Sequence, residues 1–276
     1  HQYIDHQMVG FPFIDYIVCD AYHGPKKRLV QMLQETQRVC MPHEKPFQVT
    51  EYGGDWNASS IEGLNGDFQV GLWWSWMSTS SGAPLFWWFE YIDLVDPERG
   101  KESLYPAYAA FARYIADEDK RRDPEAPSLH TDWKALAKRA GEREKRLDVL
   151  TLGDNSVFYC WVYDQQQTVH MPLQKQEQNR HEQIEVELRG IPQGRYAVEI
   201  WDGWEGRVVD RYEAVPDDDG TLRMPLPTFR IHAPLKIRRV GDALAHPEEE
   251  VKTSSQPKTS SREPRQQPTT SEPKRK

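Results

Sequence analysis

Three times within the first 116 residues the chain runs an apolar, β-rich stretch into a helical repeat, and this alternation constrains the fold more than any other feature. The first stretch is Phe13-Ile14-Asp15-Tyr16-Ile17-Val18-Cys19-Asp20-Ala21-Tyr22. From about Lys26 the period changes: Leu29, Met32, Leu33, Thr36 and Cys40 recur at helical spacing among Lys, Arg, Gln and Glu. Pro25 suits the first turn of that helix. A second strand is expected over Phe47–Glu51, followed by a helix from near Ile61 through Val70, Leu72, Trp73 and Trp76 to about Thr79. The third strand, Leu85–Ile92, is apolar at successive positions, as a parallel strand covered on both faces should be. A helix over Tyr105–Ala116 follows. Strand, helix, strand in this order predicts right-handed crossovers onto a parallel sheet. A (β/α)₈ barrel, or part of one, and a doubly wound sheet share that local pattern, and periodicity does not separate them.

Beyond residue 124 the texture changes. Arg121-Arg122-Asp123-Pro124-Glu125-Ala126-Pro127 reads as a connector. Short strands follow, expected over 147–152, 157–163, 168–173, 184–188, 195–201, 208–214, 221–225 and 233–239. Turn signals such as Gly153-Asp154-Asn155, Pro192-Gln193-Gly194 and Asp219-Gly220 separate them. Regular punctuation of this kind predicts an antiparallel β-sandwich. From Gly241 the chain is rich in Ser, Thr, Pro, Gln, Glu and Lys, which predicts a disordered tail. The expected organisation is thus α/β at 1–120, a connector at 121–145, a sandwich at 146–240 and a tail at 241–276.

Composition narrows the function classes. The 276 residues carry a formal charge of −8, which gives no footprint for nucleic acid. No run of about eighteen apolar residues exists to span a membrane. Cys19, Cys40 and Cys160 are too scattered for a zinc site or a disulfide framework, and buried free thiols are expected. The ten tryptophans point to a dense core or to broad flat contact surfaces. The chain opens on His1 without an initiator Met, so a processed product or a fragment is expected.

Candidate chemistry lies at the strand ends. Lys45-Pro46-Phe47-Gln48-Val49-Thr50-Glu51-Tyr52-Gly53-Gly54 reads as a strand that finishes on a carboxylate and turns sharply at the glycines. In α/β folds the carboxyl ends of strands are where chemistry is placed. Tyr22 and His23 close the first strand, and Glu90, Tyr91 and Asp93 cluster at the end of the third. The bland alternative for each is a solvated polar strand end. Trp73, Trp74 and Trp76 sit at helical spacing and are expected in the core, while Trp201 and Trp204 flank a tight turn, where packing of the hairpin explains them.

Val49-Thr50-Glu51-Tyr52-Gly53 resembles the strand-seven motif of clan A retaining glycoside hydrolases, whose fold is a (β/α)₈ barrel and whose Glu is the catalytic nucleophile. Tyr22-His23 is similar to the pair that ends the preceding strand in many such families. Trp87-Trp88 is similar to the sugar-flooring tryptophan of the eighth strand. Residues 71–88 and the hairpin Tyr196–Gly206 resemble bacterial members with an appended β-sandwich, so the likeness covers roughly residues 10–240.

The resemblance implies that Glu51 attacks the anomeric carbon, with Tyr22 and His23 bonding to it or to a sugar hydroxyl. Trp88 would stack on a sugar ring, with Trp87 packed outward against helices; alternation puts the two on opposite faces without fixing which one meets the mouth, so Trp87 is a substrate-binding candidate as well. Glu90, on the face of Trp88, and the loop residues Asp55 and Trp56 would contact substrate. It further implies a carbohydrate substrate, no cofactor and secretion or a periplasmic location. One departure stands out. Retaining enzymes need a second carboxyl about 5–5.5 Å from the nucleophile, and clan A supplies it from an Asn-Glu dipeptide that this sequence lacks. A full barrel takes about 250 residues, so only its last three βα units fit before the connector. The expectation is therefore a carboxyl-terminal part of such an enzyme that carries the nucleophile and lacks the acid, inactive by itself. The alternative is a non-catalytic carbohydrate-binding or structural module with a vestigial barrel segment.

Overall fold

In the computed structural model the three apolar runs become strands β1 (Ile17–His23), β2 (Phe47–Gly54) and β3 (Leu85–Phe86), paired in parallel in the order β1-β2-β3. Residues 9–23, 29–54, 61–80, 85–87, 92–93, 95, 103–120, 129–131, 133–165 and 180–240 are described. All of them fall in the first of two compact units, His1–Asp242 and Ala243–Lys276. The expected strand over 168–173 and the tail from Gly241 lie outside the described residues.

Helices α1 (Leu29–Cys40), α2 (Ile61–Trp76) and α3 (Tyr105–Ile115) follow the three strands. On α1 the buried residues Leu29, Val30, Met32, Leu33, Thr36, Gln37 and Cys40 form one stripe, as the spacing predicts. A short 3₁₀ turn, Met41–His43, ends at Glu44, whose φ of 52° lets its N–H bond back to Met41 O at 3.1 Å. In α2, Phe68, Val70, Leu72, Trp73, Trp74 and Trp76 are all buried, so from Asp67 to Trp76 the helix is enclosed on every side. It sits tight on β2 because residue 71 is glycine: a Cβ there would come within 2.1 Å of the Tyr52 ring. Tyr52 donates its hydroxyl hydrogen to Phe68 O at 2.7 Å.

The remaining chain forms two antiparallel sheets and a strand pair. Lys134–Arg139 (β4), Glu142–Arg143 (β5), Ile184–Arg189 (β9) and Thr221–Pro225 (β12) make a four-stranded sheet in the order β12-β9-β4-β5. Leu147–Gly153 (β6), Val157–Asp164 (β7), Arg195–Asp202 (β10), Arg207–Ala214 (β11) and His232–Val240 (β14) make a five-stranded sheet in the order β11-β10-β14-β7-β6. Arg180–His181 (β8) and Phe229–Arg230 (β13) pair with each other. Strands β4 and β5 lie within the stretch expected to be a connector. They escape a sequence reading because Ala137 is the one buried residue of Lys134–Arg139, and their turn, Ala140-Gly141, uses positive φ at both positions without an Asn-Gly signature.

Strand β7 explains how the layers connect. All eight of its residues are buried. Phe158, Cys160 and Val162 join Val186, Leu188, Leu222 and Met224 in the cluster shared by the two antiparallel sheets. Tyr159, Trp161 and Tyr163 face the other way, into the cluster built by α1, α2, α3 and the parallel strands. Trp73 of α2 is the hub of that second contact, meeting Phe111, Tyr114 and His232 with ring centroids 5.2, 4.9 and 5.4 Å away. Beside it Lys236 lies between the rings of Tyr114 and Trp201, at 4.8 and 4.6 Å, and pairs with Glu118 at 2.7 Å. The three cysteines are free, and burial pushes the Cys160 thiol up to about 12.

On the outward face of the four-stranded sheet Glu187 is fully covered by Lys138, Arg189 and Arg223. Burial pushes its carboxyl up, but hydrogen bonds from Lys138 and Arg189 and the charge of Arg223 overcome this and hold it down to about 2. A carboxyl depressed in the folded state stabilises the fold above its unfolded value of 4.5, and that stability is lost as pH falls toward about 2. Glu187→Gln should therefore lower the melting temperature at neutral pH and flatten the acid limb of the stability curve between pH 4.5 and 2. The partners are 21–50% exposed, so screening limits the effect to on the order of 1–2 kcal/mol. Acid titrations of both proteins followed by circular dichroism would show it; parallel acid limbs would contradict it.

Candidate active site

The placement of Glu51 depends on an irregularity in β2. Along β1, Ile17 and Ala21 are buried under the helices and Val18 is 57% exposed, so alternation puts Val18, Asp20 and Tyr22 on the opposite, open face of the sheet. On β2, Phe47, Val49 and Tyr52 are buried, so the spacing of the covered positions changes from two residues to three. The register explains it: Cys19 opposes Val49, but Asp20 opposes Glu51, leaving Thr50 as an extra residue. This β-bulge reverses the parity of everything after it. Glu51 turns to the open face with Asp20 and Tyr22, where a regular strand would have put it beside Val49 in the helix layer. Thr50 is pinned to β1, its hydroxyl 2.6 Å from Asp20 Oδ1 and 3.1 Å from Cys19 O.

Tyr22 donates its phenolic hydrogen to Glu51 Oε2. Burial first, then this bond and the nearby Asp20 carboxyl, push the Tyr22 ionisation well above its ordinary value, so the phenol remains a donor. The bond holds one carboxylate oxygen; among the described residues none bonds to the other. Trp87, just past β3, closes the third side. Its backbone N–H donates to Tyr52 O at 2.9 Å, and its ring meets Tyr22 edge-on with centroids 5.7 Å apart. The side chain is 41% exposed.

The expectation that Trp87 packs outward against helices does not hold. Phe86 takes the helix-facing position, against Tyr52 and Phe68 at 5.4 and 5.6 Å, so the next residue turns to the open face. Nor does β2 stop at the carboxylate. It continues through Gly53 and Gly54, which pair with Tyr22 and His23. The third strand is shorter than Leu85–Ile92: it spans Leu85–Phe86, and Ile92 stands in a turn. His23 ends β1 opposite Gly54, whereas Asp55, Trp56, Trp88 and Glu90 lie outside the described residues. Two residues that sequence reasoning passed over complete the site, Thr50 and Asp20. Asp20 had a signal, a lone acid in an apolar strand two positions before Tyr22. The bulge had none.

The arrangement offers a carboxylate at the carboxyl end of a parallel strand, a fixed hydroxyl donor on one of its oxygens, and an exposed indole beside both. Such a group can attack, or electrostatically support, an electrophilic carbon brought onto the open face. Among the described residues no group of three His, Cys, Asp or Glu side chains could hold a metal ion.

No protein-family model matches the chain, and no curated protein matches it either. Solved structures similar to it include glycoside hydrolases. One, a glycoside hydrolase, is 12% identical with a TM-score of 0.48, over 83% of this chain and 53% of its own. A GH30 endoxylanase from Clostridium papyrosolvens is 10% identical with a TM-score of 0.40, over 82% and 49%. A monomeric β-xylosidase from Caulobacter crescentus is 9% identical with a TM-score of 0.36, over 82% and 56%. The chain spans about half the length of these structures.

Proposed function

We propose that this chain is the carboxyl-terminal part of a retaining glycoside hydrolase: the last three βα units of a (β/α)₈ barrel, then a β-sandwich. The observation that carries this reading is the bulge at Thr50, which aims Glu51 onto the open face of the parallel sheet beside the Tyr22 hydroxyl and the Trp87 indole. In a closed barrel that face is the interior and mouth, which accounts for the 57% exposure of Val18 on it. Glu51 is the nucleophile of a double displacement: it attacks the anomeric carbon, the leaving group departs with a proton, and water then releases the sugar from the ester. Tyr22 keeps Glu51 oriented. The acid that protonates the leaving group is assigned to chain outside these three strands, because the Asn-Glu dipeptide that would supply it is missing from this sequence.

The product's configuration tests this. With the parent enzyme, NMR of the freshly released sugar should show the anomer of the substrate; the opposite anomer would rule out a covalent glycosyl-enzyme. The lack of an Asn-Glu dipeptide favours a second reading, a carbohydrate-binding module without catalysis. An active parent enzyme excludes it. Trp87→Ala should weaken substrate binding roughly tenfold, about 1–2 kcal/mol for an aromatic contact at a partly open site. Stability should change little, since the ring is 41% exposed. A melting-temperature loss typical of a core residue, without a change in affinity, would contradict that placement.

A further inference from the structure

Two buried anchors require a bulge in β2 but do not choose the residue that forms it. Upstream, Phe47 and Val49 are held in the helix layer. Downstream, Tyr52 is buried, bonded to Phe68 O and packed against Gly71. Between Val49 and Tyr52 lie two residues, Thr50 and Glu51, whereas β1 has only Asp20 between their partners Cys19 and Ala21. Either could oppose Asp20 and leave the other extra. Side-chain charge alone favours Thr50, because like charges directly opposite each other destabilise a sheet. The structure has the reverse: Glu51 opposes Asp20. The Thr50 hydroxyl offsets that repulsion. Its one hydrogen goes to Asp20 Oδ1, at 2.6 Å the nearer of its two acceptors, and a bond to a carboxylate is the stronger kind. The two acids on the open face thus have separate hydroxyl donors, Thr50 for Asp20 and Tyr22 for Glu51.

We infer that Asp20 and Thr50 are a positioning pair for the reaction of Glu51: their bond makes Thr50 the extra residue and so fixes the direction of the carboxylate. The inference rests on the reading of Glu51 as nucleophile and adds to it the residues that hold the attack in line. The pair acts on the aim of Glu51 rather than on the fold, because the anchors at Val49 and Tyr52 hold β2 in place whichever residue bulges. Without the bond, two like charges face each other across the strands and Glu51 leaves its place beside the Tyr22 hydroxyl. Misplacing an attacking group costs far more in rate than in substrate binding.

Steady-state kinetics of the parent enzyme test it. Thr50→Val keeps the branched shape and the strand preference of threonine but lacks its hydroxyl. It should lower kcat by roughly 10²-fold, with KM within about twofold of wild type and melting unchanged. Thr50→Ser, which retains the donor, should keep most of the turnover. Asp20→Ala should lose about as much as Thr50→Val, and the double variant no more than either alone, because both act through one bond. A 2-fluoro glycoside should still label Glu51 in Thr50→Val, but more slowly. Wild-type kcat in Thr50→Val, with the label on Glu51, would overturn the inference and leave the nucleophile standing. So would losses that add in the double variant, an equal loss in Thr50→Ser, or a loss matched by a fall in melting temperature. A label on another carboxylate of the wild-type enzyme would overturn the reading of Glu51 and this inference with it.

Discussion

Replacing Glu51 by Gln in the parent enzyme should lower turnover by about 10⁴-fold or more, with substrate affinity close to that of the wild type. The amide keeps the shape of the carboxylate and can still meet the Tyr22 hydroxyl, but it has no charge with which to attack. The Tyr22–Glu51 bond lies on the open face, away from the helix layer, so the loss should come without a fall in melting temperature. Steady-state kinetics and a thermal melt on the same preparation check both halves. A variant that keeps more than about a tenth of wild-type turnover would mean that Glu51 is not the nucleophile.

Trp73→Ala carries the largest expected effect on stability, roughly 3–5 kcal/mol for truncating a fully buried tryptophan. The ring sits between α3 and His232 of β14, so the cavity would open where the helical layer meets the five-stranded sheet. Because one apolar cluster runs from the parallel strands to Tyr159, Trp161 and Tyr163, the helical and antiparallel parts should melt together in the wild type and more separately in the variant. Denaturant unfolding followed by far-ultraviolet circular dichroism and by tryptophan fluorescence resolves this. Loss of less than about 1 kcal/mol would show that the contact is looser than its geometry.

What the sequence disclosed followed from period and from run length. The helical stripe of α1 and the alternating apolar residues of strands β9 and β10 announce one buried face each. Glu51 was likewise visible as a carboxylate in a β-rich run just before two glycines. Its aim was not. A one-residue bulge leaves no mark in composition, yet it decides which face Glu51 takes. Trp87 shows the same weakness from the other side: in Leu85-Phe86-Trp87-Trp88 every position is apolar, so alternation gives no parity until a neighbour such as Tyr52 fixes it. Strand β4 was hidden by small and charged residues that suit a helix as well as a strand, and by a burial pattern with one inward residue. Glu187 looked like an ordinary surface acid, since its three cationic partners come from β4, β9 and β12 and meet only in the folded sheet.

The most direct test of Glu51 is chemical. Incubating the parent enzyme with a 2-fluoro glycoside bearing a good leaving group slows the second displacement and traps the glycosyl-enzyme, which peptic digestion and mass spectrometry then locate. The label should sit on Glu51, within the peptide around Val49-Thr50-Glu51-Tyr52, and should be absent from Glu51→Gln. A label on a different carboxylate in an enzyme that turns over normally would contradict both the assignment of Glu51 and the idea that the bulge at Thr50 exists to aim it.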